Sequence, residues 1–416
     1  MSLPNQYLIS APGKVILFGE HAVVYGKTAI AGSLDGLRTY ALFEKRLDGY
    51  FELNFPDLGL RRALSWPKTN LPYHLIKHTD SEQQKDFMFN ENLLQALKPI
   101  VNEGNMDDEN QLDKFQQAAA LAFLYLVTNI KNKQISWDGM TIQISSSLPI
   151  GAGLGSSASY SVCLATGLLL AFGHISLPDE SNQLSTLNSA ELINQWAFQA
   201  EKVIQGNPSG IDNAVATFGG AVSYKKGSRH TNLKGFHSFR FLIINTKEPR
   251  DAKTQIEKVR VKREKYPQII NHILDAIDRI SLSFIELQSS GVSQEEMFKK
   301  LEELIDLNHY LVNSLGVSHP SLEKIREITS EHNLHSKLTG AGGGGCALTL
   351  VPDDMPPEDV QLVKEKLERN EFECYETPVG GHGIATMYAT TVINSLEFLD
   401  MNKNKLREIA EWKYFV

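Results

Sequence analysis

A glycine-rich segment near the middle of the chain has the composition of a loop that binds phosphate. Gly151, Gly153 and Gly155 alternate with two apolar residues, and Ser156 and Ser157 follow directly. Glycines let backbone N–H groups approach a ligand closely, and a helix beginning here would offer about half a positive charge at its N-terminus. The two hydroxyls could cap that helix or bind an oxygen or a metal ion. A tight turn with ordinary serine caps is the alternative, although three alternate glycines exceed what a turn requires.

Three residues that can carry charge or a proton lie close together near the N-terminus. Lys14, Glu20 and His21 fall within eight positions, beside apolar runs that are typical of strands. A solvated charged face is the alternative interpretation of these residues when they are taken alone.

Two carboxylates follow the glycine-rich segment at positions that need an explanation. Glu201 lies near the C-terminal end of a helix predicted from Ser189 to Gly206, where a negative charge opposes the helix dipole. It therefore points into solvent or has a partner such as a metal ion. Asp212 follows a Pro/Gly turn and precedes a short helix predicted over 214–217. As an ordinary N-cap, this aspartate needs no function.

A second glycine-rich segment spans Gly340–Gly345 and contains a formal G-x-G-x-x-G pattern. A dinucleotide-binding loop must open a helix, whereas residues 346–351 have the pattern of a strand. A Rossmann interpretation therefore fails on context. A loop of this composition is better suited to form a lid or a wall over a ligand.

Periodicity predicts the elements that must position these residues. Alternation over 141–145 indicates a strand, and helical spacing over 162–169 indicates a helix, so the first glycine loop would connect them. Residues 7–18 predict a strand, a turn that holds Lys14, and a second strand. The polar stretch 67–110 is predicted to be a surface insertion, and a closing helix is expected from residue 395.

Length and composition limit the class of protein. At 416 residues the chain exceeds the usual size of one hydrophobic core, so two domains are expected. The charged segment 225–230 is the best boundary, which divides the chain into residues 1–226 and 227–416. The hydrophobic fraction of 42% is ordinary for a globular protein, and a net charge of −8 argues against a nucleic-acid binder.

Cysteine usage and the absence of long apolar runs indicate a cytoplasmic protein. Cys163, Cys346 and Cys374 are widely spaced, which favours buried reduced thiols over a zinc cluster or a disulfide scaffold. No apolar run reaches the roughly 20 residues of a membrane helix. The N-terminus also lacks the basic and apolar regions of a signal peptide.

Residues 12–21, 149–158 and 337–346 together resemble, in order and spacing, the three motifs of the GHMP small-molecule kinases. The resemblance implies a two-domain α+β GHMP kinase fold with its active site in the cleft between the domains. Residues 1–226 would form the N-terminal domain with the phosphate loop, and 227–416 a C-terminal domain of ferredoxin-like α+β character. The implied activity is ATP-dependent phosphorylation of a primary hydroxyl on a small molecule, early in isoprenoid and sterol synthesis.

The resemblance also implies roles for individual residues. Lys14 and Asp212 would flank the reacting hydroxyl, while Ser157 and Glu201 would be the protein ligands of a Mg²⁺ ion. The ATP phosphates would be wrapped by Gly151, Ala152, Gly153, Leu154, Gly155, Ser156 and Ser157. The acceptor substrate would lie near Lys14, Glu20, His21, Asp212, Thr246, Gly340, Ala341 and Gly342.

These implied roles agree with the chemistry of the residues. A cation would explain the position of Glu201 in its helix, and phosphoryl transfer depends mainly on positioning and charge stabilisation. Asp212 can accept the hydroxyl proton, and Lys14 can pair with Asp212 and lower the pKa of the hydroxyl. Which of the two dominates stays open. Gln205 departs from the pattern, since animal and fungal relatives often have histidine there.

Other functions share part of this pattern. Galactokinase, homoserine kinase and phosphomevalonate kinase have the same glycine loop but differ in the first motif and around Asp212. A catalytically silent nucleotide-binding regulator would not need Lys14, Glu201 and Asp212 together. A P-loop NTPase is excluded because G-x-x-x-x-G-K-[ST] is absent around residue 151. Family resemblance further implies a homodimer and feedback inhibition by isoprenyl diphosphates that compete with ATP.

Overall fold

The computed structural model describes residues 5–76, 88–105, 111–130, 137–227, 230–249, 251–389 and 397–416. Its helices, numbered α1 to α11, are Glu91–Glu103, Lys114–Ile130, Ser156–Ala171, Gln183–Gln205, Ile211–Phe218, Ala252–Lys265, Pro267–Gln288, Gln294–Ser314, Pro320–Ser330, Pro357–Glu368 and Lys403–Arg407. Its strands, numbered β1 to β13, are Gln6–Phe18, Thr28–Arg46, Tyr50–Asn54, Leu64–Pro67, Gly139–Ser146, Ala221–Lys225, Thr231–Asn232, Phe239–Asn245, Ser336–Leu338, Cys346–Leu350, Glu373–Val379, Ala385–Tyr388 and Lys413–Tyr414.

Thirteen strands of the described ranges form one sheet, whose central path is β13-β12-β1-β2-β11-β8-β10-β9. Strand β2 is 19 residues long and also pairs with β5 and β6. The N-terminal and C-terminal halves meet where Val379 of β11 lies opposite Leu34 of β2. Strands β12 and β13 then return to the N-terminal half, where β12 pairs with β1. The sheet is therefore continuous through both halves, and the predicted division at residues 226/227 stays a prediction.

The helices of the N-terminal half pack on the sheet and hold the first glycine loop in place. Every residue of α3 from Ala158 to Ala171 is buried. The later turns of α2, which are apolar on nearly every side, are buried almost throughout. Helices α7, α8 and α9 share a separate apolar cluster with β8, β9 and β10. This mixture of helices with a largely antiparallel sheet confirms the predicted α+β class.

The prediction of a strand, a turn and a second strand over residues 7–18 is wrong. The segment is one strand, β1, and Lys14 lies inside it. The Pro-Gly pair that suggested a turn instead marks a register shift against β2 between Pro12 and Gly13. Pairing with β2 on both sides of the shift lets the sheet absorb these residues as an irregularity.

The prediction of a surface insertion over 67–110 is also wrong for part of that range. Helix α1 buries Leu93, Leu97 and Val101, which recur at helical spacing and pack into the core of the N-terminal half. Residues 77–87 and 106–110 lie outside the described residues. So do 390–396, where the predicted closing helix would begin; the helix described in that region is α11.

Two further observations concern the sequence expectations about membrane helices and cysteines. Within the described ranges, no helix combines the length and the apolar character that crossing a bilayer would take. Cys163 and Cys346 are buried and Cys374 is half-buried.

Candidate active site

The first glycine loop connects β5 to α3, as the sequence predicts. Gly151, Gly153 and Gly155 have φ angles of 74°, 80° and 75°, a region that side chains other than glycine rarely adopt. Gly155 occupies the N-cap of α3 and has no side chain that could accept the N–H groups of the first turn. These donors therefore stay available to an anion at the helix N-terminus.

Lys14 is held against this loop by its backbone and by its side chain. The backbone N–H of Lys14 donates to the carbonyl oxygen of Leu154 at 2.8 Å, and Nζ donates to the carbonyl oxygen of Gly153 at 3.4 Å. The stem of the lysine passes so close to Gly155 that a Cβ on this glycine would lie 2.8 Å from Cγ of Lys14. The first and second motifs therefore form one structural unit.

Asp212 completes a pair with Lys14, at 3.2 Å between Oδ2 and Nζ. Both groups are partly buried, with 11% of the lysine side chain and 29% of the aspartate side chain exposed. Helix α5 begins at Ile211 with Gly210 as its N-cap, so the alternative of Asp212 as the N-cap is wrong. The aspartate lies in the first turn instead, where the helix dipole favours a negative charge.

Glu201 is buried in α4, so the alternative that it points into solvent is wrong. Its Oε2 accepts hydrogen bonds from Ser157 Oγ at 3.3 Å and Gln205 Nε2 at 2.8 Å, and its Oε1 accepts one from Ser161 Oγ at 3.1 Å. The pKa of Glu201 is raised to about 7, chiefly by burial and then by the nearby charge of Asp212, while the hydrogen bonds from the two serines oppose the shift.

The chemistry of this donor set fits a hard divalent cation. A buried carboxylate and the Ser157 hydroxyl, next to an anion-binding loop, supply oxygen ligands of the kind that Mg²⁺ prefers. Mg²⁺ usually takes one or two protein ligands and fills its remaining positions with water and substrate phosphates. A cation would also compensate the buried charge of Glu201. In the described part of the chain, no group of three or more His, Cys, Asp or Glu side chains is placed to hold a metal ion.

The second glycine loop, residues 339–345, joins β9 to β10 and does not open a helix. His21 Nε2 donates to the carbonyl oxygen of Ala341 at 2.8 Å, and Thr246 Oγ1 donates to that of Gly345 at 2.8 Å. Glu20 lies fully buried behind the loop. The predicted acceptor-side residues therefore gather around one loop, which packs on the phosphate loop through Cys346, whose Sγ lies 3.7 Å from the carbonyl oxygen of Ala152.

Four residues that organise the site were given no role by the motifs. Ser161 and Gln205 hold Glu201, and Lys337 and Asn308 hold Glu20. The first two could have been found, because Ser161 lies four positions after Ser157 and Gln205 four positions after Glu201, and so on the same helical faces as these predicted metal ligands. No local signal indicates the other two, because they reach Glu20 across about 290 to 320 positions of sequence.

Gly155→Ala is expected to lower kcat about 10- to 100-fold, because the added methyl group displaces Lys14 from its place beside the loop. Gly151→Ala is the matched control. It has a similar positive φ and the same strain of about 1–2 kcal/mol, but nothing lies within 4 Å of its added Cβ. Steady-state kinetics of both variants test the prediction, and equal losses in kcat would contradict it.

Phosphoryl transfer needs little beyond a cradle for phosphates, positive charge and a proton acceptor. The contacts among the first loop, Lys14, Asp212 and Glu201 meet those needs, so the class defined by the site is a phosphotransferase. The model of the GHMP kinases N terminal domain matches residues 118–220, and the model of the GHMP kinases C terminal domain matches residues 293–370.

Comparison with known proteins narrows this class. Mevalonate kinase of Bos taurus is 41% identical over 405 residues, which cover 95% of this chain and 98% of that protein. The Homo sapiens enzyme is 40% identical, covering 94% and 97%. The crystal structure of Methanococcus jannaschii mevalonate kinase covers 89% of this chain and 96% of its own, with 25% identity and a TM-score of 0.62. Lactococcus lactis galactokinase, at 16% identity and a TM-score of 0.55, shares the fold alone.

The chain therefore belongs to the GHMP kinases, a family of ATP-dependent small-molecule kinases. Its place within the family is with the mevalonate kinases, to which it is similar over nearly its whole length. The motifs support the same placement, since residues 19–26, 207–214 and 337–345 match those of mevalonate kinases.

Proposed function

We propose that this protein transfers the γ-phosphoryl group of ATP to the terminal hydroxyl of (R)-mevalonate, which yields 5-phosphomevalonate and ADP for isoprenoid and sterol biosynthesis. The observation that carries the proposal is the pair of Lys14 and Asp212, 3.2 Å apart at the edge of the phosphate loop. Near-full-length similarity to mevalonate kinases supports mevalonate as the acceptor.

In this proposal, the residues around the loop bind and orient the reacting groups. Backbone N–H groups of 151–157 and the N-terminus of α3 hold the ATP phosphates. Asp212 accepts the proton of the attacking hydroxyl, a role worth about 10²–10⁴ in rate. Lys14 lies between that carboxylate and the loop, so its charge stabilises both the deprotonating hydroxyl and the phosphoryl oxygens.

Ser157 and Glu201 would hold Mg²⁺, which neutralises charge on the ATP phosphates when it is bound. Ser161 and Gln205 keep the Glu201 carboxylate in place by donating hydrogen bonds to it. On the acceptor side, His21, Thr246, Gly340, Ala341 and Gly342 would form a wall along the bound substrate. Glu20 contributes from behind this wall.

Mevalonate-dependent release of ADP by the purified protein tests the function directly. Galactose, homoserine and 5-phosphomevalonate should give little or no ADP release under the same conditions. A preference for one of these acceptors would contradict the proposal. Nucleotide binding without ADP release for any acceptor would instead indicate the catalytically silent regulator.

Ser157→Ala is expected to raise the Mg²⁺ concentration required for half-maximal activity by about tenfold, since loss of one ligand weakens the site. Ser159→Ala is the matched control, because this neighbouring hydroxyl on α3 donates to the carbonyl oxygen of Ala11 and not to Glu201. Titration of activity with Mg²⁺ at saturating ATP measures the difference. An unchanged requirement in Ser157→Ala would contradict the ligand assignment.

Three further expectations from the sequence stay predictions. They are a homodimer, feedback inhibition by isoprenyl diphosphates that compete with ATP, and a cytoplasmic location. The first can be checked by the mass of the protein in solution, and the second by inhibition kinetics against ATP.

A further inference from the structure

The loop of residues 339–345 is bound at every second residue. Thr339 Oγ1 donates to the carbonyl oxygen of Ile16 at 2.8 Å, and the backbone N–H of Gly343 donates to that of Val317 at 2.7 Å. His21 and Thr246 bind the carbonyl oxygens of Ala341 and Gly345, as described above. These partners come from β1, the turn after it, the connection between α8 and α9, and the residue that follows β8. The loop is therefore a fixed wall rather than a free lid.

The base of this wall holds a buried ion pair. Lys337 lies in β9, two residues before the loop, and its amine contacts Oε1 of Glu20, with both side chains almost fully excluded from solvent. Asn308 Nδ2 donates to the other oxygen of Glu20 at 3.1 Å. Lys337 also donates to the carbonyl oxygen of Leu338 at 2.9 Å. Both carboxylate oxygens of Glu20 thus have protein donors and no exposed surface for a substrate to contact.

Glu20 and His21 are adjacent in sequence, so one dipeptide contacts both Lys337 at the base of the wall and Ala341 within the wall. His21 has a φ of 60°, an unusual and costly conformation for a side chain of this size. Such strain persists only where the surroundings determine the backbone on both sides, as the contacts with Lys337 and Ala341 do here. Burial raises the pKa of Glu20 and lowers that of Lys337, and each charge opposes the shift of the other.

We propose that Glu20 is a positioning residue, which acts through its ion pair with Lys337 to set the place of the 339–345 wall and does not bind substrate itself. The proposal rests on the proposed function, because the wall borders the acceptor. Removing one partner of a buried pair leaves an uncompensated charge, which forces the surrounding segments to move. A displaced wall weakens acceptor binding, whereas the phosphate loop keeps its own contacts.

The variants Glu20→Gln and Lys337→Met are both expected to raise KM for mevalonate by about tenfold or more and to leave KM for ATP within about twofold. In the double variant, KM for mevalonate should rise no more than in the more damaging single variant, because both substitutions break the same contact between Glu20 and Lys337. It buries no unpaired charge, so it also keeps the test valid if a single variant folds poorly. A rise in KM in Glu20→Gln that is absent from Lys337→Met would overturn the proposal.

Amide hydrogen exchange supplies a readout that does not depend on the identity of the substrate. The backbone N–H of Gly343, which donates to the carbonyl oxygen of Val317 outside the wall, and that of Thr246, which donates to the carbonyl oxygen of Gly345 in the wall, should exchange about tenfold faster in either single variant, while those of α3 stay unchanged. Leu97→Ala is the control, because it opens a cavity at a buried position of α1, in the core of the N-terminal half, and lowers global stability away from the cluster that flanks the wall. Unchanged exchange in the wall, or an equal change of its exchange in Leu97→Ala, would overturn the proposal. Absence of mevalonate turnover in the unsubstituted protein would refute the proposed function and leave the exchange result valid.

Discussion

Asp212→Asn is expected to lower kcat by about 10²–10⁴-fold while the affinity for ATP changes little. The amide keeps the size of the side chain but cannot accept the proton of the hydroxyl. The first turn of α5 stays intact, since Gly210 and not Asp212 is its N-cap. The measurement is kcat at saturating ATP and mevalonate, together with calorimetric binding of a non-hydrolysable ATP analogue.

Asp275→Asn is a suitable control for this variant. Asp275 is an exposed carboxylate that pairs with Lys27, so it matches the chemistry of the change outside the site. It should leave kcat within about twofold, as is usual for exposed surface positions. Near-normal turnover of Asp212→Asn would exclude a base role for this aspartate and would direct attention to Lys14.

Lys14→Met should lower kcat by about 10²–10³-fold, the range observed when one stabilising group is removed from a charged transition state. Methionine keeps an unbranched stem beside Gly155, so the change removes the charge and little of the packing. The amine that contacts both Asp212 and the carbonyl oxygen of Gly153 is lost. Steady-state kinetics provide the test, with Lys27→Met, a partly exposed lysine that pairs with Asp275 outside the site, as the control.

The double variant Asp212→Asn/Lys14→Met tests whether the pair acts as a unit. Two groups 3.2 Å apart should be strongly coupled, so the combined loss should be much smaller than the product of the single losses. Multiplicative losses would show that the two side chains act independently. A Lys14→Met variant that loses only ATP affinity and keeps kcat would assign the lysine to phosphate binding alone.

Several site features could be predicted from the sequence because they are local. The glycine loop, its place between a strand and a helix, and the hydroxyls after it all follow from neighbouring residues. Ser161 and Gln205 could also have been predicted, since they follow the predicted metal ligands Ser157 and Glu201 by one helical turn. Helix α1 could likewise have been found from the spacing of Leu93, Leu97 and Val101, had the polar stretches on either side of it not obscured the pattern.

Contacts that depend on the folded chain could not be predicted from residue patterns. The local sequence predicts that Lys14 lies in a turn. In the structure, β2 pairs on both sides of the irregularity at Pro12 and Gly13, so the segment is one strand. The sequence is equally compatible with an exposed and a buried Glu201. In the structure, α3 packs beside α4 and the glutamate is buried. In each case tertiary packing overrides a local preference whose free energy is small.

Residue types and their spacing are enough to establish which chemical groups this protein has and, through three motifs, the family to which it belongs. The folded chain brings Asp212 to Lys14 and Glu20 to Lys337, pairs that no local pattern predicts because they are about 200 and 320 positions apart. It also decided what those groups can do. The same carboxylate is a solvated charge, a proton acceptor or a buried structural partner according to how much water the surrounding elements exclude.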